Sequence, residues 1–191
     1  PWRRPPYAGM ETVLELGCGR GEHSLGFASR YPDTLFIGVD LKSHRLCHGG
    51  ERGLAQGLEN LFFLRARVEE SLDYFADHAV SSIWLTFPDP HPKQRGIKHR
   101  LSSAGFFQIY SRLLRPGGQI HLKTDSRRFY DYTMDSVHYW GGTVLAAQAD
   151  LHGQAADAGF CPGDETAVVS AFEGKALKQG RTIKYLAFTL T

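Results

Sequence analysis

The chain has 191 residues, enough for one domain with a core of its own. A hydrophobic fraction of 42% against 22% charged residues, with no apolar run of about 18, excludes a disordered polymer and a helical membrane span. With a formal net charge of only +2, any affinity for nucleic acid must come from local clustering of cations.

Residues 1–10 are rich in proline and arginine and carry Trp2 and Tyr7; they read as an N-terminal arm, not a core element, leading into a single domain over 11–191. The first strand is expected at Thr12–Leu16. A helix follows at Glu22–Tyr31, with Leu25, Ala28 and Tyr31 on one face and Pro32 ending it. Leu35–Asp40 is an apolar run ending in an acid, the pattern of a buried parallel strand with a functional residue at its carboxyl end. Next come a helix over Ser43–Gly57, a strand at Asn60–Leu64, a helix at Val68–Ala76 and a strand at Ser82–Phe87. Phe106, Ile109, Tyr110 and Leu113 fall at i, i+3, i+4 and i+7 of an amphipathic helix, broken by Pro116-Gly117-Gly118. Strand five is expected at Gln119–Lys123, a helix at Phe129–Tyr139, strand six at Thr143–Ala149 and the last strand at Thr182–Leu190. Asp150–Gly163, rich in Gly, Ala and Asp, reads as a mobile loop. Seven strands alternating with helices predict an α/β fold, a Rossmann-like, mostly parallel sheet with helices on both faces.

Chemistry concentrates at two strand ends. Val13-Leu14-Glu15-Leu16-Gly17-Cys18-Gly19-Arg20-Gly21 delivers a strand into a turn of alternating glycines, open to positive φ and to close backbone approach. Ligands of open α/β sheets sit at the carboxyl ends of strands, so a nucleotide-like ligand is expected over Gly17–Gly21. A dinucleotide fingerprint, G-x-G-x-x-G/A, needs a small residue where this chain has Glu22, which counts against a nicotinamide-dependent oxidoreductase. Asp40, 25 residues after Glu15, is placed either to accept hydrogen bonds from two ribose hydroxyls or to cap the helix that follows. The fourth strand runs into Phe87-Pro88-Asp89-Pro90-His91-Pro92-Lys93, where prolines hold one acid in a loop with few conformations. Lys93-Gln94-Arg95-Gly96-Ile97-Lys98-His99-Arg100 sets four cations and a histidine beside that acid, as a phosphate-binding strip. Cys18, Cys47 and Cys161 lack C-x-x-C spacing and fit a reducing cytoplasm. His44 and His48 have no further ligand cluster, so no metal is expected.

The pattern acid-x-G-x-G-x-G from Glu15 to Gly21 resembles the first motif of S-adenosylmethionine-dependent, class I methyltransferases. LELGCGRGE, FIGVDLKS, IWLTFPDPHPKQR with KHRL, RPGGQIHLKTD, ADLH and SAFE, in that order between Glu11 and Leu190, resemble the bacterial tRNA (guanine-N7-)-methyltransferases. The resemblance implies methyl transfer from S-adenosylmethionine to a guanine in the tRNA variable loop. It implies that Glu15, Gly17, Gly19, Gly21 and Asp40 bind the donor, with Arg67 beside the adenine where many members carry an acid. Asp89 would stand at the active centre. Lys93, Asp125, Ser170 and Glu173 would contact the substrate, and Arg95, Lys98, His99 and Arg100 would lie along the RNA. His91 replaces the tryptophan of most members, and Ser170 a threonine, keeping the hydroxyl. The resulting expectation is a cytoplasmic enzyme, monomer or homodimer, with tRNA as partner, no metal and no membrane. A non-catalytic RNA-binding subunit is the alternative suggested by Arg67 and His91.

Overall fold

The central strands are apolar on both faces, which forces helices onto both sides of the sheet. The computed structural model describes residues 4, 6–153 and 164–190. In it β1 (Glu11–Leu16), β2 (Thr34–Asp40), β3 (Leu61–Arg65), β4 (Val80–Thr86), β5 (Leu114–Thr124), β6 (Thr143–Gln148) and β7 (Lys184–Thr189) form a seven-stranded sheet in the order β3-β2-β1-β4-β5-β7-β6. Strands β1 to β5 run parallel, and β7 is antiparallel to both β5 and β6. Strand order reverses between β1 and β4, so the crevice at their carboxyl ends is the switch point where such sheets bind ligands.

Among the described residues six helices cover the sheet: α1 (Glu22–Arg30), α2 (Ser43–Ala55), α3 (Ser71–Tyr74), α4 (Ala104–Leu113), α5 (Arg127–Trp140) and α6 (Ala171–Lys178). Leu14, Leu16, Ile83, Leu85 and Leu122 pack on one face against Phe107 and Tyr110 of α4 and Phe129 and Val137 of α5. Phe36, Trp84 and Tyr185 pack on the other against Phe27 and Ala28 of α1 and Ala176 of α6. Side chains alternate along a strand, so this second face also receives Glu15, Thr86 and Lys123 at the strand ends.

The structure redraws several expected boundaries. The helix expected at Val68–Ala76 is a 3-10 turn, Val68–Glu70, followed by the single turn of α3. It stops because Phe75 turns to extended backbone and buries its ring in the core. Pro116-Gly117-Gly118 does not separate a helix from a strand: the chain is already paired at Leu114, opposite Val80, and the segment forms a bulge within β5. A 3-10 helix, Gln94–His99, shapes the basic segment that follows the proline loop. Tyr7 of the arm packs edge-on to Phe62, with ring centroids 4.9 Å apart, so this part of the arm does join the core. Most of the loop expected over Asp150–Gly163 lies outside the described residues, as does Cys161.

The turn after β1 depends on packing as well as on backbone freedom. Gly21 has φ +67, and a Cβ there would lie 2.3 Å from the Phe63 ring. Gly57 has the same φ, with nothing within 4 Å. Gly21→Ala is expected to lower unfolding free energy by about 2–5 kcal/mol, against about 1–2 for Gly57→Ala. Urea denaturation measures both, and equal costs would contradict the close packing of Phe63 beneath the turn.

Candidate active site

Three left-handed glycines shape the turn between β1 and α1: Gly17 at φ 76, Gly19 at 59 and Gly21 at 67. The Gly17 and Cys18 N–H groups both donate to Val39 O, at 2.8 and 3.1 Å, which folds the turn over the end of β2. Asp40 pins it from the side. Its Oδ2 accepts the Gly19 N–H at 2.9 Å and its Oδ1 the Lys42 N–H at 2.8 Å. Glu15 pins it from beneath. Its Oε2 accepts from the Ser24 N–H at 2.9 Å and from the Ser24 hydroxyl, and its Oε1 from Thr86 Oγ1 at 2.5 Å. Glu15 therefore ties the ends of β1 and β4 to the first turn of α1, where a carboxylate also suits the helix dipole. Burial, then the charges of Glu15 and Asp40, push the Cys18 thiol well above its ordinary value, so it stays protonated.

Over this turn lies a cavity of about 480 Å³ lined by Gly19, Arg20, His44, Thr86, Phe87 and Phe172, among others. A second cavity, about 310 Å³, opens around Trp84, Arg115 and His121 at the amino ends of the strands. Its one lining glycine, Gly117, belongs to the bulge of β5 and not to a strand–helix turn, and burial pushes its His121 down to about 4. Glu22, the residue that spoils a dinucleotide fingerprint, turns to α6, where its Oε2 accepts the Ala171 N–H at 2.6 Å.

The wall formed by α6 is held by a buried ion pair. Lys123 Nζ donates to Glu173 Oε2 at 2.8 Å and to the carbonyls of Val168 and Thr166 at 3.0 and 3.2 Å. His152 Nε2 lies 2.8 Å from Glu173 Oε1. The buried His23 ring sits between Glu173, at 3.5 Å, and Glu15, at 3.8 Å. Burial alone would raise the Glu173 carboxyl, but His23, Lys123 and His152 reverse this and bring it down to about 2. Lys123 is lowered by burial, with Glu173 opposing the shift. Glu173, expected to touch substrate, is fully buried here, and its carboxylate holds α6 in place. Ser170 likewise caps α6, its Oγ accepting the Glu173 N–H at 3.2 Å.

Beside the cavity, β4 leads into the proline loop, with Phe87 at φ 49 and His91 at φ 40. Asp89 is exposed, and its Oδ1 accepts the His91 N–H at 3.0 Å. Lys93, Arg95, Lys98 and His99 are exposed, as the strip requires. Arg100 departs from the expected RNA contact. It is 2% exposed, its Nε and Nη2 donate to the carbonyls of Pro90 and His91 at 3.0 Å each, and its guanidinium lies 4.2 Å over the Tyr132 ring. It braces the loop from behind. Asp125, at the end of β5, is half-buried and paired with Arg181 at 2.8 Å. Arg67 is exposed just beyond β3, and its N–H donates to Glu70 Oε2 at 3.1 Å.

Lys123, His23, His152 and Arg181 were missed in the sequence. Lys123 did carry a signal, as a cation in the alternating run Ile120-His121-Leu122-Lys123 that closes a central strand. Among the described residues no cluster of His, Cys, Asp and Glu could hold a metal, and no helix is long and apolar enough to cross a membrane.

A family model described as "Putative methyltransferase" matches residues 10–186. The chain is 38% identical over 178 residues to the tRNA (guanine-N(7)-)-methyltransferase of Christiangramia forsetii, covering 93% of this chain and 78% of that protein. It is 40% identical over 178 residues to the enzyme of that name from Porphyromonas gingivalis, covering 93% and 70%. A SAM-dependent methyltransferase of Aquifex aeolicus, 13% identical, has the same fold with a TM-score of 0.62 over 95% of this chain and 84% of that one.

Removing one partner from the ion pair leaves a buried charge. Lys123→Met is expected to cost about 3–5 kcal/mol, and the double change Lys123→Met with Glu173→Leu to recover most of it. Glu173 also gives an acid signature. Its folded pKa, about 2, lies below the ordinary 4.5, so its contribution is complete above pH 4.5 and is lost as pH falls through about 2. The stability gap between the native chain and Glu173→Gln should therefore close over that window in urea titrations. A gap that stays constant down to pH 2 would contradict the pairing.

Proposed function

Because the chain belongs to the tRNA (guanine-N(7)-)-methyltransferase family, we propose that it transfers the methyl group of S-adenosylmethionine to N7 of a guanine in the variable loop of tRNA. The observation that carries this reading is the adjacency of two strand ends. A glycine turn follows β1, a proline-bracketed carboxylate follows β4, and the two strands are neighbours.

The residues fit the donor. A Cβ at Gly19 would meet nothing within 4 Å, so the turn is open above its backbone. The cavity's 480 Å³ falls within the range of small-molecule sites. Each Asp40 oxygen accepts one backbone N–H in the contacts above and has capacity for a second donor. Gly17, Gly19 and Gly21 would carry the donor along the backbone, Asp40 would take the ribose hydroxyls, and Arg67 would flank the adenine. Glu15 acts indirectly, by setting the shape of the turn.

When bound, the donor supplies an electrophilic sulfonium methyl: the N7 lone pair forms the new N–C bond, the S–C pair stays on sulfur, and the positive charge passes to the purine ring. Guanine N7 carries no proton, so the protein needs no general base and must chiefly align the reacting atoms. Such alignment can supply roughly 7–11 kcal/mol in favourable cases. Asp89 and Asp125 are the carboxylates proposed to stabilise the charge that develops on the base. The A-form major groove is too narrow for a side chain to reach N7, so the guanine is taken from a loop and extruded. Lys93, Arg95, Lys98 and His99 would follow the phosphates, while Arg100, Ser170 and Glu173 hold the surrounding backbone.

Methyl transfer from labelled donor to an unmodified tRNA transcript tests the reading, with borohydride–aniline scission locating the N7-methylated base. Incorporation that persists after the variable-loop guanine is replaced would overturn the site. Asp89→Ala is expected to lower kcat by about a hundredfold or more, with tRNA affinity within about twofold. A parallel collapse of affinity would make it a binding residue. Changing Arg95 and Lys98 to Gln should reduce the log–log salt slope of tRNA binding by about 0.7 per lost single-strand contact. Arg100→Gln should leave the slope unchanged and lower stability instead; an altered slope would return Arg100 to the RNA path.

A further inference from the structure

We propose that Phe172 is a substrate-contacting residue whose ring stacks on the extruded guanine and holds it more tightly as the base becomes cationic. This rests on the methyl-transfer reading above and names a contact within that site. Phe172 is the second residue of α6, lines the cavity over the glycine turn, and is 52% exposed. Its apolar ring is therefore open to a ligand in that cavity.

The backbone around this ring is fixed from several directions. Glu22 of α1 accepts the Ala171 N–H at 2.6 Å. Ser170 Oγ accepts the Glu173 N–H at 3.2 Å, and Ser170 O the Gly174 N–H at 2.9 Å. Glu173 is buried against Lys123 and His152, at 2.8 Å each. Phe172 is thus an exposed aromatic residue in a run whose backbone is tied down. It is held in place by its surroundings without being covered by them.

Among the described residues, the ring packed beside it points towards the chemistry. The Phe87 ring lies 5.0 Å away, tilted by 52°. Phe87 has φ 49, a left-handed conformation that is costly for a bulky side chain and persists only where the surroundings impose it. It immediately precedes Pro88 and Asp89. Both rings of the pair therefore line the glycine-turn cavity, and Phe87 stands two residues before the proposed catalytic carboxylate.

Any base offers a flat π face to such a ring, and the face of phenylalanine carries negative potential. Methylation at N7 turns a neutral guanine into a cation, so attraction to the ring rises along the reaction coordinate. An interaction that strengthens on the way to the transition state raises kcat and not only affinity. No proton or electron passes through Phe172.

The test compares Phe172→Ala, Phe172→Leu and Phe172→Tyr in the full chain, with labelled donor and an unmodified tRNA transcript. The Ala and Leu variants are expected to lose about ten- to a hundredfold in kcat/KM, with kcat carrying part of the loss. Tyr, which keeps the aromatic face, should stay within about threefold of the native chain. Donor affinity by calorimetry and the thermal midpoint should be unchanged in all three. A Leu variant as active as the native chain would overturn the stacking. So would an Ala variant whose only loss is donor affinity, since that would assign the ring to the donor. The native chain in the same assay keeps the two levels apart. If it methylates the transcript while Leu matches it, the stacking alone fails; if it leaves the transcript unmethylated, the function reading beneath it fails.

Discussion

The site is organised by one buried carboxylate. Glu15 accepts hydrogen bonds from the Ser24 backbone and hydroxyl and from the Thr86 hydroxyl, so a single side chain joins the ends of β1 and β4 to the start of α1. Burying an ionised carboxylate is costly unless its lone pairs are satisfied. Here three donors satisfy it, and each belongs to an element that must meet at the switch point. The same constraint explains why the turn above is built from left-handed glycines. The chain leaves β1, passes over the end of β2 and enters α1 within five residues, Gly17 to Gly21, of which every second one is a left-handed glycine.

A second buried charge extends this frame to the far end of the chain. Lys123 at the end of β5 and Glu173 in α6 lie 2.8 Å apart, both fully buried. The His23 ring lies between the two carboxylates, 3.8 Å from Glu15 and 3.5 Å from Glu173. The buried charges set geometry, while the exposed ones, Asp89, Lys93, Arg95, Lys98 and His99, remain available for contact. Arg100 shows how closely the two groups lie in sequence. It ends a run of exposed cations, yet it is turned inward by the two carbonyls of the proline loop that it satisfies.

Much of this was legible in the sequence. Apolar runs ending in Glu15 and Asp40, a glycine turn and a proline-bracketed acid are local patterns, and each sits at a strand end as expected. Less legible was whatever depends on partners distant in the chain. Lys123 meets Glu173 across 50 residues and Glu22 meets Ala171 across 149, separations that no window of sequence displays. The one-turn α3 and the bulge at Pro116–Gly118 were missed for a related reason. Phe75 and Leu114 are drawn into extended pairing or burial by the core, against what their neighbours favour. Ser170 and Glu173, which the motif marks as substrate contacts, also make hydrogen bonds that hold the wall on which Phe172 is presented, and Ser170 lines the cavity.

A crystal structure with S-adenosylhomocysteine tests the central claim most directly. The account predicts the ribose hydroxyls on Asp40, the backbone of Gly17–Gly21 beneath the nucleoside, and the thioether sulfur turned towards the Asp89 loop. A nucleoside seated instead in the cavity beside Trp84 and His121, or a sulfur facing away from Asp89, would contradict it.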